Sequence, residues 1–352
     1  MNPRERETAV IMHRIPDRIP VDCMALEVGG KDMGDDPLLT LGIDGRIISP
    51  YYKGPLSAAE EETHFTEWQT PAAHHYGTKR YYPLTGISTV AEIEKFCWPD
   101  PLLYDYKTAA EAAAGVGKYY AARGPAWNPL FCRICDLFGM EEAMVKMVSE
   151  PAVFESALER VFAITAELCE RFLNACGSSL TCLYLGDDFA TQRGLMFSAG
   201  MWRKFLKCRY RRIFDIGKKH GKFIWFHSCG DITAVLPDMI DIGLDVWETV
   251  QIHTLPLTPV RLKKEYGKYL TFFGGISTQS LPFLTVEEVR KEVVRTIEQL
   301  GEDGGYICGP DHHVKPDVPL QNVITLFKTA RSFRKQGFTS ACQPEVELTE
   351  SA

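Results

Sequence analysis

From about residue 105 onward, the chain alternates between short apolar runs and longer segments with helical periodicity, and this alternation constrains the fold most strongly. The apolar runs predict strands at Lys118–Ala122, Leu180–Leu185, Phe223–Phe226, Asp245–Trp247, Tyr269–Phe273 and Gly305–Ile307, and an earlier apolar run predicts a first strand at Ile19–Met24. The helical segments among them include Glu150–Cys176, Ser198–Lys219 and Val286–Leu300. Runs that are apolar throughout, rather than at every second residue, are typical of strands buried on both faces. The pattern therefore predicts a parallel sheet with helices between its strands.

The fold class that we predict is α/β, a (β/α)8 TIM barrel with an elaborated N-terminal loop and helix region. No G-x-G-x-x-G motif follows an early strand, which disfavours an open dinucleotide-binding sheet. A length of 352 residues fits one barrel. We assign residues 1–336 to a single barrel domain, in which residues 25–105, rich in Gly, Pro and aromatics, elaborate the mouth. Residues 337–352 form a polar, acidic tail that we expect to fray.

The composition excludes several classes of partner. Lys and Arg number 39 against 46 Asp and Glu, so a net charge of -7 argues against nucleic-acid binding. No apolar run approaches the roughly 20 residues of a membrane span, and the N-terminus lacks the apolar core of a secretion signal. Eleven scattered cysteines indicate buried thiols rather than a disulfide framework. We therefore expect a cytoplasmic protein.

Polar residues follow each of the last five predicted strands. In a barrel, the carboxyl ends of the strands meet at one mouth, where the chemistry of such folds takes place. The candidate site residues at these strand ends are Asp187, Asp188, Gln192, His227, Cys229, Asp231, Glu248, Gln279, Cys308 and His312. The sequence thus predicts a site for a polar ligand or a metal ion at the mouth.

The segment His227-Ser-Cys229 carries the sharpest chemical signal. Residues two apart at a strand end point to the same side, so an imidazole and a thiolate, both zinc ligands, face one point. The third ligand must come from another strand end, and His312 and Cys308 are both candidates. Glu248 or Asp188 would be a fourth ligand or a partner of the ligands. The alternative is that His227 binds a substrate carboxylate and Cys229 only packs against the next strand.

Several motifs, in order along the chain, resemble the uroporphyrinogen decarboxylase superfamily. They are Arg4-Glu-Arg6 with Pro16–Pro20, Gly186-Asp-Asp188 with Gln192 and Ser198, His227–Asp231, Gly274–Gln279, and Gly304-Gly-Tyr306 and His312 with Pro319-x-x-Asn322. The resemblance implies a (β/α)8 barrel with its site in the mouth. The segment after the first strand, from Asp22 to Asp36, is acidic and lacks the arginines with which true uroporphyrinogen decarboxylases grip carboxylates. The chain is therefore more similar to the corrinoid-dependent methyltransferase branch, which includes O-demethylases and methylcobamide:acceptor methyltransferases.

The resemblance also implies cofactors and roles. Zinc would be held by His227 and Cys229, and counting from Asn322 places His312, rather than Cys308, at the position of the family's third ligand, a cysteine. The residues implied to orient ligands or move protons are Asp187, Asp188, Glu248 and Gln192, and those implied to bind the cofactor are Gln279 and Asp231. A corrinoid (cobalamin) would be supplied by a partner protein or as free cofactor, since Asp311-x-His313 lacks the glycine of the D-x-H-x-x-G motif. Related barrels often pair, so the resemblance is compatible with a homodimer, but the sequence leaves the oligomeric state open.

Three functions follow as hypotheses. The first is a zinc-dependent methyltransferase that moves a methyl group between a small methylated substrate, such as a methyl ether, and the cobalt of a corrinoid protein. The second is a cofactor-free decarboxylase of a carboxylated substrate, in which Asp188 stabilises a protonated intermediate. The third is a barrel that only binds a tetrapyrrole or corrinoid. The sequence leaves open the identity of the methyl donor and the direction of transfer.

Overall fold

The alternation of strands and helices produces a curved parallel sheet in the computed structural model, which describes residues 1–27, 36–56, 66–70, 81–301 and 303–333. The strands are β1 Gly45–Ile47, β2 Ala121–Pro125, β3 Cys182–Gly186, β4 Ala190–Thr191, β5 Gly194–Leu195, β6 Phe223–His227, β7 Val246–Val250, β8 Thr271–Ile276 and β9 Tyr306–Pro310. The predicted tail at 337–352 and parts of the predicted mouth elaboration lie outside the described residues.

Helices follow most of the strands. They are α1 Pro3–Ile11, α2 Pro37–Leu41, α3 Val90–Lys95, α4 Tyr106–Val116, α5 Phe131–Phe138, α6 Met140–Ser149, α7 Pro151–Cys176, α8 Ala199–Trp202, α9 Cys208–Lys219, α10 Leu236–Asp241, α11 Pro259–Tyr266, α12 Val286–Leu300 and α13 Leu320–Ser332. A π-helical turn, Arg203–Lys207, joins α8 to α9. No helix in these parts of the chain is long and apolar enough to cross a membrane.

Seven of the strands form one sheet in the order β1-β2-β3-β6-β7-β8-β9, and all neighbouring pairs are parallel. The strands β4 and β5 form a separate antiparallel hairpin. The extended segment at Val21 lies between the two edges of the sheet. Val21 forms a parallel bridge with Cys308 of β9, and its carbonyl accepts a hydrogen bond from the amide of Asp44, just before β1. The result is a TIM-barrel-like α/β architecture.

The strands are apolar throughout because both of their faces are covered. On β6, Ile224 and Phe226 belong to the large apolar cluster that the helices share, whereas Trp225 belongs to a smaller cluster inside the curve of the sheet. Tyr184 of β3 and Ile307 of β9 also belong to this inner cluster. The prediction of parallel strands buried on both faces is confirmed.

The inner side of the sheet also contains buried charges. The Arg123 guanidinium of β2 pairs with the Asp22 carboxylate and lies over the Trp225 ring, 4.1 Å from its centroid. Glu7 of α1 is also buried, and desolvation, followed by the nearby Asp22 charge, raises the pKa of Glu7 well above its ordinary value. One oxygen of Glu7 has no hydrogen-bond partner in the structure. A buried cluster of charged side chains, formed by Arg123, Asp22 and Glu7, therefore lies inside the sheet below the strand ends.

The helix predictions agree with the structure more closely than the strand predictions. The bounds predicted for α12 are the observed ones, and α7, α8 and α9 lie within their predicted segments. Every strand predicted after residue 117 ends too early. The strands β3 and β6 extend one residue further than predicted, and β2, β7, β8 and β9 extend three residues further, to Pro125, Val250, Ile276 and Pro310. The predicted first strand at Ile19–Met24 is reduced to the single bridge at Val21. Parallel ladders tolerate polar residues and glycine at strand ends, so the last apolar residue does not mark where a strand stops.

Candidate metal centre

Three side chains with metal-binding atoms come together at the carboxyl ends of β3 and β6. They are Asp188, His227 and Cys229, and one ligand atom from each lies within 4.8 Å of the others. The Nε2 atom of His227 is 3.3 Å from the Cys229 sulfur and 3.6 Å from Oδ1 of Asp188. Ligands around a tetrahedral zinc ion lie about 3.3–3.8 Å apart when the bonds are roughly 2.0–2.3 Å long. An oxygen, a nitrogen and a sulfur at this spacing fit zinc and leave a fourth position open.

The loop that carries Cys229 is held in place by its own backbone. Each of the four amides from Ser228 to Asp231 donates a hydrogen bond to a different residue of the neighbouring segments. The acceptors, in that order, are the Glu248 carbonyl at 2.6 Å, Oδ1 of Asp188 at 2.8 Å, Oε1 of Gln251 at 2.9 Å and the Thr191 carbonyl at 2.9 Å. The position of the sulfur therefore depends on β7, on the β3 end and on the β4–β5 hairpin.

Glu248, in β7, holds the other side of the His227 ring. Its carboxylate is completely buried and accepts hydrogen bonds from Nδ1 of His227 at 3.3 Å, from the Tyr184 hydroxyl at 3.1 Å and from the Trp225 indole. A carboxylate that orients a histidine in this way is a frequent partner of metal ligands. With Nδ1 bound to Glu248, Nε2 faces Cys229 and Asp188.

The electrostatics of His227 favour a cation at Nε2. Burial alone would lower the pKa of His227, but the contacts with Cys229 and Glu248 outweigh burial and hold that pKa well above its ordinary value. The pKa of Glu248 is lowered in spite of its burial, because of His227 and the Arg123 charge. The groups that attract a proton to the ring would equally attract a metal ion.

The structure groups Asp188, rather than His312 or Cys308, with His227 and Cys229. The His312 ring lies beside the His227 ring, with 6.2 Å between centroids, but His312 is not part of the three-residue group. Cys308 is buried in the apolar cluster on the helix side of β9, together with Tyr306, whereas Ile307 faces the inside. Cys308 therefore lies on the wrong face of its strand to join the group, and the suggestion that it could be the third ligand is corrected.

Asp187 lies next to the candidate ligand Asp188 but has different contacts. Its buried carboxylate accepts hydrogen bonds from the amides of Leu130, Phe131 and Cys132 at 3.1, 2.7 and 2.8 Å, and from the Tyr210 hydroxyl. These amides are free at the start of α5, so Asp187 acts as an N-terminal cap supplied from another strand. Burial raises the pKa of Asp187 although the hydrogen bonds oppose the rise. Asp187 therefore caps α5, whereas the resemblance implied that Asp187 orients ligands or moves protons.

The remaining predicted residues lie around the mouth. Gln192 is exposed in the turn between β4 and β5, and Gln279 is exposed in the loop after β8. Asp231 accepts hydrogen bonds from the amide of Thr233 at 2.9 Å and from its hydroxyl, so it stabilises the turn after the Cys229 loop. None of these three side chains belongs to the group of metal-binding atoms found among the described residues.

Three aromatic residues near the site were not predicted from the sequence. Tyr184 and Trp225 support Glu248 from inside the sheet, and Trp127, after β2, lies against the His227 ring with 5.5 Å between centroids. Trp225 is two residues before His227 in the same strand, and this spacing alone indicates a shared face. Trp127 could have been found by applying the strand-end argument to β2, which was predicted to stop at Ala122.

The fold and the site together define a TIM-barrel-like α/β protein with a candidate metal centre at the carboxyl ends of its parallel strands. Comparison with known families makes the assignment specific. The uroporphyrinogen decarboxylase (URO-D) family matches residues 130–333, and the chain belongs to this family. The matched segment contains β3 to β9 and all three residues of the candidate metal centre. The predicted family membership is confirmed.

Two similar proteins are methyltransferases. The chain is 25% identical over 192 residues to the methylcobamide:CoM methyltransferase MtaA of Methanosarcina barkeri (strain Fusaro / DSM 804). This match covers 54% of the chain and 52% of the relative, so the chain spans about half the length of this curated relative. A solved structure of a methyltransferase from Methanosarcina mazei is similar with a TM-score of 0.61 and 17% identity, covering 94% of this chain and 98% of that one. At this identity, the structural similarity shows the fold alone.

Proposed function

We propose that the protein is a zinc-dependent methyltransferase that moves a methyl group between a small methylated substrate, such as a methyl ether, and the cobalt of a corrinoid. The observation that carries the proposal is the group formed by Asp188, His227 and Cys229 at the mouth. The similarity to a methylcobamide:CoM methyltransferase supports a corrinoid, supplied by a partner protein or as free cofactor, as the second substrate. The catalytic unit is a single barrel domain of residues 1–336.

The proposal assigns the metal to Asp188, His227 and Cys229, with His312 close enough to be a neighbour of the fourth position. When bound there, zinc would supply a Lewis acid that activates the heteroatom carrying the methyl group. Glu248 accepts a hydrogen bond from Nδ1 of His227, so that Nε2 faces the ligand group and would present its lone pair once a metal displaces its proton. Asp188 holds the amide of Cys229 and keeps the sulfur near the ring.

The finer description of the fold is part of the same proposal. The segment around Val21 is hydrogen-bonded to both edge strands, β9 and the residue before β1. We count it as the eighth strand of a closed (β/α)8 barrel. A closed barrel brings the ends of β3, β6 and β9 to one mouth, where a methylated substrate and a corrinoid could meet.

Metal analysis of the purified protein tests the proposal directly. We expect one zinc per chain in the wild type and a loss of zinc in the His227→Ala, Cys229→Ala and Asp188→Ala variants. Cys308→Ala is the matched control, because it removes a buried thiol outside the group and should keep the metal. His312→Ala distinguishes a ligand from a neighbour by its zinc content. Unchanged zinc in both the His227 and the Cys229 variants would refute the metal centre.

Methyl transfer is then measured by the absorbance change of a corrinoid on incubation with a panel of methyl donors. Treatment with a chelator should abolish the transfer, and added zinc should restore it. Release of CO2 from a carboxylated substrate with full activity after chelation would instead support the decarboxylase alternative. Bound corrinoid with no turnover of any donor would support a protein that only binds the cofactor.

A further inference from the structure

An exposed tryptophan stands beside the candidate metal centre. Trp127 is 41% exposed, although it lies in the loop between β2 and α5, next to the His227 ring. The two rings meet edge to face, with 5.5 Å between centroids and an interplanar angle of 80°. Single exposed apolar residues are ordinary on protein surfaces, so exposure alone says little. This indole differs from other exposed side chains because it lies beside the candidate metal centre and because its loop is held by hydrogen bonds.

The loop holds the indole in a defined position. Ala126, the preceding residue, has a φ of 73°, in the left-handed region that residues with a Cβ rarely adopt. The Asn128 side chain donates hydrogen bonds to the carbonyls of Pro125 at 3.3 Å and Ala126 at 3.4 Å. The far end of the loop is attached to Asp187 through the first amides of α5. An aromatic side chain on a loop supported at both ends loses little freedom when a ligand packs on it.

The sheet also leaves room for this indole. A Cβ atom on Gly186, the last residue of β3, would lie 2.6 Å from Cε3 of Trp127 and 3.0 Å from Cβ of His227. The absence of a side chain at 186 therefore lets one edge of the indole enter the mouth. Part of the indole remains open to solvent, since Trp127 is 41% exposed.

We propose that the exposed part of this indole is a platform for the aromatic ring of the substrate, which makes aryl methyl ethers, rather than aliphatic ones, the substrate class. This inference rests on the proposed methyl transfer. Aromatic rings pair in offset or edge-to-face arrangements with centroids roughly 4.5–7 Å apart. The oxygen of an aryl methyl ether is bonded directly to the ring. A ring on Trp127 can therefore present that oxygen to the group formed by Asp188, His227 and Cys229.

The test compares two ligands of similar size, methoxybenzene and methoxycyclohexane, by isothermal titration calorimetry with the full-length purified protein and no corrinoid. The wild type should bind methoxybenzene about three- to tenfold more tightly, the increment of one aromatic pair. Trp127→Phe should keep most of this preference, and Trp127→Leu should reduce the ratio to about one. Tyr269→Leu is the matched control, because Tyr269 is 51% exposed and precedes β8 at the other end of the sheet.

Equal affinity for the two ligands in the wild type, no binding of either ligand, or an unchanged ratio in Trp127→Leu would overturn the inference. Unfolding temperatures show that the variants are folded. The assay measures binding without turnover, so it separates this inference from the proposed function. A preference that depends on Trp127 in a protein without zinc or methyl transfer would refute the proposed function and leave the aromatic platform standing.

Discussion

The Glu248→Gln substitution tests how the His227 ring is oriented for metal binding. The Glu248 carboxylate accepts three hydrogen bonds, from Tyr184 and His227 on one oxygen and from the Trp225 indole on the other. An amide has one accepting oxygen and one donating nitrogen. The indole N–H can only donate, so the amide oxygen must face Trp225 and the amide nitrogen must face His227.

This forced orientation changes the tautomer of His227. An amide N–H that points at Nδ1 requires Nδ1 to accept, which moves the ring proton to Nε2. A protonated Nε2 cannot bind a metal, because its lone pair is occupied. Loss of a partner that orients a histidine ligand typically costs about 10- to 100-fold in metal affinity, or roughly 1.4–2.7 kcal/mol. We expect Glu248→Gln to weaken zinc binding by this amount.

The assay is competition for zinc with a chromophoric chelator, with circular dichroism to confirm the fold. Tyr184→Phe is the matched control: it removes one donor, keeps the carboxylate, and should leave zinc affinity nearly unchanged. The double variant Glu248→Gln with Trp225→Phe removes the indole donor and lets the amide turn, so part of the affinity should return. Wild-type zinc affinity in the single variant, or no recovery in the double variant, would refute the reasoning.

Three further substitutions probe the surroundings of the site. Asp187→Asn weakens the cap of α5 and should lower the free energy of unfolding by about 1–2 kcal/mol in urea, whereas changed zinc content would contradict its structural role. Glu7→Gln should be more stable than the wild type at pH 8, by urea unfolding. Because the folded-state pKa of Glu7 is raised, the contribution of Glu7 to the free energy of unfolding is fully present below its ordinary pKa of 4.5 and is lost as the pH rises through the folded-state pKa. An equal pH dependence of stability in the two proteins would contradict this. Gly186→Ala should displace Trp127 and cost about 1–3 kcal/mol of stability, and a crystal structure with an unmoved indole would disprove the predicted clash.

The fold was largely accessible from the sequence because its main signal is periodicity. Long amphipathic helices such as α12 and uninterrupted apolar strands such as β6 specify a parallel α/β sheet without any tertiary information. Strand ends were not accessible in the same way. The buried Glu248 lies in the middle of β7, and Gly274 and Gly275 lie within β8, so polarity and glycine in these strands reflect the site and close packing rather than a loop.

The candidate metal-binding pair was accessible from the sequence, but the choice of its third member among the candidates was not. His227 and Cys229 are two residues apart at a strand end, which is local information. The choice between Asp187 and Asp188 depends on which carboxylate turns toward α5, and that contact joins residues more than fifty positions apart. Whether Cys308 or one of its neighbours points into the barrel mouth depends on which face of β9 lies on the inner side of the sheet. A strand that is apolar on both faces has no alternation from which this can be read.

The four amides between Ser228 and Asp231 have a consequence for how such a scaffold could be altered. Each is tied to the sheet or to the segments directly beside it, so the histidine and the cysteine are anchored to the permanent frame of the molecule. The surrounding wall at Trp127 is built from a separate segment. Under the proposed function, the choice of methylated substrate and the retention of the metal would therefore depend on different pieces of chain. An engineer could exchange the wall around Trp127 to suit a new methyl donor without moving the candidate metal ligands.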